Sequence, residues 1–62
     1  MNVRKLRADL GVSQEELADR AGLHRTYIGA LERGETNISL LNLLKVARAL
    51  RVVPTELLRG ID

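Results

Sequence analysis
The sequence predicts an all-α domain of five short helices. Three observations carry that expectation. Apolar residues recur at helical spacing in successive short runs. A glycine or a capping hydroxyl punctuates the gaps between those runs. The 62 residues also hold one proline and one aromatic side chain, Tyr27, within a 45% hydrophobic composition of mostly Leu, Val and Ala. This length makes one domain near the lower limit for folding alone. Without cysteine there is no disulfide staple, and the lone His24 cannot build a metal site. Stability is therefore expected from helix packing, helped by dimerisation.

The first helix is expected over 2–10, with Val3, Leu6 and Leu10 on one face and Arg4, Lys5 and Arg7 between them. Gly11 ends it. Ser13 caps the second helix, and Glu16 three residues on completes a capping box. Leu17, Ala18 and Ala21 form the inner face, where small side chains allow a close crossing. Gly22 falls where the next turn needs a positive φ, and Leu23 plugs the core. A third helix is expected over about 24–33, with Ile28 and Leu31 inward and Thr26, Gly29, Ala30 and Arg33 outward. Arg25 and Tyr27 flank that outer face, and Gly34 stops the helix. After a loop over 35–38, Ser39 or Asn37 caps a fourth helix running to about Leu50. Residues 51–53 link to a last short helix with Pro54 in its first turn.

Residues 13–33 thus read as two short amphipathic helices joined by the Ala21-Gly22-Leu23 turn. The second opens with the polar run His24-Arg25-Thr26-Tyr27. That layout is a helix-turn-helix, whose second helix can enter the DNA major groove. Ten basic against eight acidic residues give a net charge of +2, compatible with phosphate binding but weak evidence for it. A single aromatic residue argues against a base-stacking surface for RNA or single strands. With no signal peptide and no 18-residue apolar run, a soluble, cytoplasmic chain without membrane contact is expected. Catalysis is not expected: there is no Gly-rich phosphate loop after a strand and no nucleophile–base set. Glu15, Glu16 and Asp19 look like a solvated helix face. No cofactor is expected.

The string LGVSQEELADRAGLHRTYIGALERGETN, followed by LLKVARALRVVPTELL, closely resembles the Cro/C1-type (XRE-like) helix-turn-helix repressors over nearly the whole chain. Its RTYI run and later ER pair are similar to those of the controller proteins of restriction–modification systems. The resemblance implies a five-helix, lambda-repressor-like domain that binds double-stranded operator DNA as a symmetric homodimer. It also implies a phosphate contact at Gln14 and an ion pair between Arg7 and Glu32 that steadies the recognition helix.

Among individual residues, Arg25 is expected to read a base, since its planar fork matches guanine O6 and N7; a solvated arginine is the plain alternative. Thr26 can offer its hydroxyl to a base or merely cap the helix. Gly29 costs ~1 kcal/mol against alanine inside a helix. With Ala30 it would leave a shallow face that lets the groove floor approach, or else it relieves crowding against another helix. Ala30 can also touch a thymine methyl. The amide of Gln14 and nearby backbone N–H groups suit a phosphate at a helix N-terminus. Tyr27 either reaches a phosphate or packs half-buried. Arg33, Thr36, Asn37 and Ser39 form a phosphate clamp or a solvated loop. His24 departs from the resemblance, because imidazole caps poorly; a phosphate contact or a structural role remains for it.

Ile38, Leu41, Val53, Leu58 and Ile61 exceed what the core needs and mark a dimer interface; a greedy core would account for them too. Because the chain stops after the fifth helix, no effector domain and no small-molecule ligand are expected. The function expected is a sequence-specific transcriptional regulator. The alternative is a protein-interaction module of the same fold, such as an antitoxin.

Overall fold
The computed structural model describes residues 1–59, so Ile61 of the expected interface lies outside the described residues. Five helices follow one another: α1 (Val3–Leu10), α2 (Gln14–Ala21), α3 (Arg25–Glu32), α4 (Leu40–Leu50) and α5 (Pro54–Leu58). Among the described residues there is no strand and no helix long and apolar enough to cross a membrane.

Each junction has a local cause. Gly11 and Gly22 take left-handed conformations that close α1 and α2. Ser13 and Ser39 each accept a hydrogen bond from a backbone N–H three residues on, Glu16 at 3.0 Å and Asn42 at 3.1 Å. Ser39, not Asn37, is therefore the cap of α4. Only half of the expected capping box forms. The Glu16 carboxylate turns forward to Arg20, at 2.6 Å and one helical turn away, where a full opposite charge attracts it more strongly than a backbone dipole.

The core is wholly apolar. Leu17, Ile28, Leu57, Val3 and Val46 are its largest fully buried side chains, with Leu31, Leu50 and several alanines around them. α4 packs against α1, α2 and α5, while α2 also packs against α3. Leu23 and Tyr27 lie half-buried against this cluster. Val12, between α1 and α2, joins the core as well. Five residues are too few for α5 to hold itself. Burying Leu57 supplies about 2 kcal/mol, and Asn2 clasps the helix by donating its backbone N–H to the Leu57 carbonyl at 2.9 Å. Asn2 consequently stands outside α1 as its cap residue, one position later than the expected start.

The end of α4 differs from the simple linker expected there. Arg51 adopts the left-handed conformation (φ 61°, ψ 39°) normally left to glycine, and its N–H reaches the carbonyls of Ala47 and Arg48. Val52 then donates to Ala47 and packs against the core, so the packing holds the strained residue in place. Arg51→Gly should raise the unfolding free energy by roughly 0.5–1 kcal/mol in urea titrations; a destabilised variant would contradict this account.

Candidate nucleic-acid interface
The turn at Ala21-Gly22-Leu23 sets α3 against α2 with its polar face outward. α3 begins one residue later than expected, because His24 is its cap. The His24 Nδ1 accepts the Thr26 N–H at 3.3 Å. Imidazole ordinarily caps poorly; here it does cap, and its Nε2 has no hydrogen-bond partner among the described residues. The Thr26 hydroxyl is spared that task and has no hydrogen-bond partner among the described residues. Arg25 is exposed and likewise unpaired among them.

Gln14, Arg25, Thr26, Gly29 and Arg33 line one open concavity of about 330 Å³ on this face. One site expected beside it is placed differently. Ala30 is half-buried and does not line the concavity, because one residue of helix turns it away from Gly29 by roughly 100°. Gly29 is buried rather than open, although it belongs to the outer face. The three atoms nearest to where its side chain would begin all belong to the Arg33 guanidinium, with Nη1 at 3.0 Å. The side chain crowding Gly29 is thus on its own helix end, and not on a neighbouring helix. Gly29→Ala should raise the unfolding free energy by up to ~1 kcal/mol, since the flexible arginine can move aside. The same methyl should weaken DNA binding several-fold by displacing that guanidinium. Thermal unfolding and fluorescence anisotropy on a selected site check the two effects, and unchanged affinity would remove Gly29 from the contact surface.

Behind the concavity lies a charged knot joining three helices. Arg7 donates from Nε to Glu32 at 2.6 Å and from a second nitrogen at 3.2 Å, and it also reaches the Val12 carbonyl at 3.0 Å. The Gln14 amide donates to Glu32 at 2.8 Å. One amide hydrogen of Gln14 is thus committed to the protein. The adjoining N–H groups of Gln14 and Glu15 have no acceptor among the described residues. The Glu32 side chain is only 3% exposed. Burial by itself would raise its pKa, but the hydrogen bonds from Arg7 and Gln14 and the charges of Arg7 and Arg4 outweigh that and hold it below its ordinary value of 4.5.

The folded protein therefore binds this proton less tightly than the unfolded chain. The stabilisation is complete above pH about 4.5 and is lost as pH falls through the lower folded-state value. Tm should accordingly drop on acidification below about pH 4.5 more steeply for the native chain than for Glu32→Gln. Parallel curves would refute the assignment.

The second flank is less open than expected. The Tyr27 ring packs against the core, its hydroxyl accepts from Asn42 Nδ2 at 3.3 Å, and it lies 3.5 Å from the Asn37 carbonyl. Tyr27 therefore braces the loop before α4. Thr36 and Asn37 are exposed beside it, while the Ser39 hydroxyl oxygen accepts the cap bond and keeps its own hydrogen to donate. Arg33 touches this loop only through its Nε, which pairs with Glu35 at 2.8 Å, while its outer nitrogens lie back beside Gly29.

Of the expected interface residues, Leu41 and Val53 are each 62% exposed and Leu58 is exposed, whereas Ile38 is partly consumed by the core. Leu40 and Leu44 are exposed as well. Sequence reasoning passes over both, although their spacing of four residues beside Leu41 is the available signal. It also has no means of finding the Gln14–Glu32 bond, whose partners lie eighteen residues apart on two helices.

Comparison with known proteins gives a consistent result. The helix-turn-helix family matches residues 3–58. Control protein C.SmaI of Serratia marcescens is 49% identical over 57 residues, covering 92% of this chain and 68% of that protein. Control protein C.BamHI of Bacillus amyloliquefaciens is 49% identical over 57 residues, covering 90% and 70%. Among solved structures, the restriction-modification controller protein C.AhdI from Aeromonas hydrophila superposes with a TM-score of 0.87 at 53% identity, covering 89% of this chain and 83% of that one.

Proposed function
The chain belongs to the helix-turn-helix family of DNA-binding transcriptional regulators, and we propose that it is a controller-type regulator that binds a palindromic operator as a homodimer, with α3 in the major groove. The observation that carries this reading is the gathering of Gln14, Arg25, Thr26, Gly29 and Arg33 around one concavity on the exposed face of α3. Arg25, in the first turn, suits a guanine edge. Thr26 beside it offers a hydroxyl and a methyl. The N-terminus of α2, with its unpaired N–H groups and the remaining hydrogen of the Gln14 amide, suits a phosphate on the groove's rim. His24 Nε2 at the start of α3, and Thr36 and Asn37 beyond its end, extend the phosphate contacts.

One such domain touches few base pairs, and a two-fold dimer doubles them across half-sites about one turn of DNA apart. The exposed Leu40, Leu41 and Leu44 on α4, with Val53 and Leu58, supply the apolar surface for it. The controller role rests on the likeness to C.SmaI, C.BamHI and C.AhdI. Selection from random duplex DNA at fixed moderate salt tests the whole reading. A palindrome with a guanine in each half-site is the expected product, alongside a dimer in sedimentation equilibrium. Salt-sensitive bulk binding with no enriched sequence would overturn it and turn attention to a protein partner.

A further inference from the structure
Resting on that DNA-binding reading, we propose that Arg33 is a second base-reading residue, its guanidinium laid across Gly29 and held there by Glu35 so that its terminal nitrogens meet a guanine edge. By position alone Arg33 belongs to the phosphate flank. It caps the C-terminal end of α3, whereas base contacts in this motif come from the N-terminal part of the helix. The side chain, however, folds back. Its Nη1 lies 3.0 Å from the position that a side chain on Gly29 would occupy, with Cζ and Nη2 at 3.8 Å. The charged head therefore stands one turn nearer the helix start than its own backbone. It shares the concavity with Arg25 and Thr26.

At about 1.5 Å of rise per residue, Gly29 lies roughly 6 Å along the axis from Arg25. That separation is within two base-pair steps of about 3.4 Å. An Arg25 side chain rooted that far along the helix from the Arg33 head lets the two address neighbouring or next-neighbouring base pairs.

Gly29 and Glu35 acquire roles in this arrangement. A side chain at Gly29 would begin 3.0 Å from Nη1 and press the guanidinium out of this position. The Glu35 carboxylate takes Nε at 2.8 Å, and Nη1 and Nη2 have no hydrogen-bond partner among the described residues. Both partners are 57% exposed, so the pair adds little to stability; what it supplies is direction. A guanidinium held at Nε presents its two outer nitrogens as a fork, the shape that matches O6 and N7 of guanine. A phosphate contact needs no such aim, and the carboxylate beside it would oppose one.

The test uses the full chain, its selected operator and a set of operators each changed at one base pair, with Kd read by fluorescence anisotropy at two salt concentrations. Arg33→Ala should lose about 5- to 150-fold in each half-site of the operator, a loss the dimer incurs twice. It should lose nothing further on sites where one particular guanine per half-site has been changed. Arg33→Lys should not restore the preference, because an ammonium lacks the fork. Glu35→Gln should weaken the same preference part of the way. Arg33 is exposed, so unchanged circular dichroism is expected throughout.

An equal loss on every sequence, with the salt slope reduced by about one per half-site and lysine restoring binding, would make Arg33 a phosphate clamp and overturn the inference. If Arg25→Ala lost its guanine while Arg33→Ala kept every base preference, the DNA-binding reading would stand and this inference alone would fall. Failure of the native chain to select any operator would instead overturn both.

Discussion

Glu32→Ala is expected to lower the unfolding free energy by about 3 kcal/mol, the cost of leaving a paired charge without its partner in a mostly water-excluded site. Three groups lose their acceptor together: two nitrogens of Arg7 and the amide of Gln14. For 62 residues the whole stability is on the order of 3–9 kcal/mol, so this variant sits at the edge of unfolding at room temperature. The exposed pairs Arg20–Glu16 and Arg59–Glu56 should each matter by less than about 1 kcal/mol. The comparison isolates burial as the cause. Urea titration followed by circular dichroism measures it, and a change under about 1 kcal/mol for Glu32→Ala, the range of an exposed pair, would show that the knot is not structural. Replacing both partners, as Arg7→Met with Glu32→Leu, should recover much of the stability, since no unpaired charge then remains inside.

Arg25→Ala should do the opposite: leave the fold untouched and alter what the protein reads. The side chain is exposed and makes no hydrogen bond or ion pair among the described residues, so its removal should move Tm by no more than the scatter expected for a surface substitution. Binding to the selected operator should weaken by ~1–3 kcal/mol in each half-site, a penalty that a symmetric dimer incurs twice. The effect should concentrate at one base pair per half-site, where the variant tolerates any base. A variant that bound every sequence less well by one common factor would place Arg25 on a phosphate. One that kept both affinity and preference would remove α3 from the groove.

These two variants separate what sequence can reveal from what it cannot. Ser13, Gly22 and the spacing of Leu17, Ile28 and Leu31 act within a turn or two of themselves, so the α2–turn–α3 unit is legible directly. The Arg7–Glu32 pair is reached only through family resemblance, because its partners are 25 residues apart. In the sequence Gln14 looks like a free phosphate ligand, since nothing local announces that Glu32 also draws its amide inward. Arg51 gives no sign of its left-handed conformation, which tertiary packing around Val52 imposes. The place of Arg33 in the helix suggests a phosphate clamp, but its function depends on a rotamer, and a rotamer is chosen by neighbours such as Gly29 and Glu35.

The clasp between Asn2 and α5 has a consequence for the motion of the domain. The bond from the Asn2 amide to the Leu57 carbonyl ties together segments that would ordinarily fray independently, each at little free-energy cost. Opening either segment breaks the same bond, so their local openings are coupled. The Asn2 amide, despite its place at the start of the chain, should be protected from exchange with solvent, at the pace of whichever of the two segments opens more readily. The beginning of α1 and the last helix thus form a single opening unit.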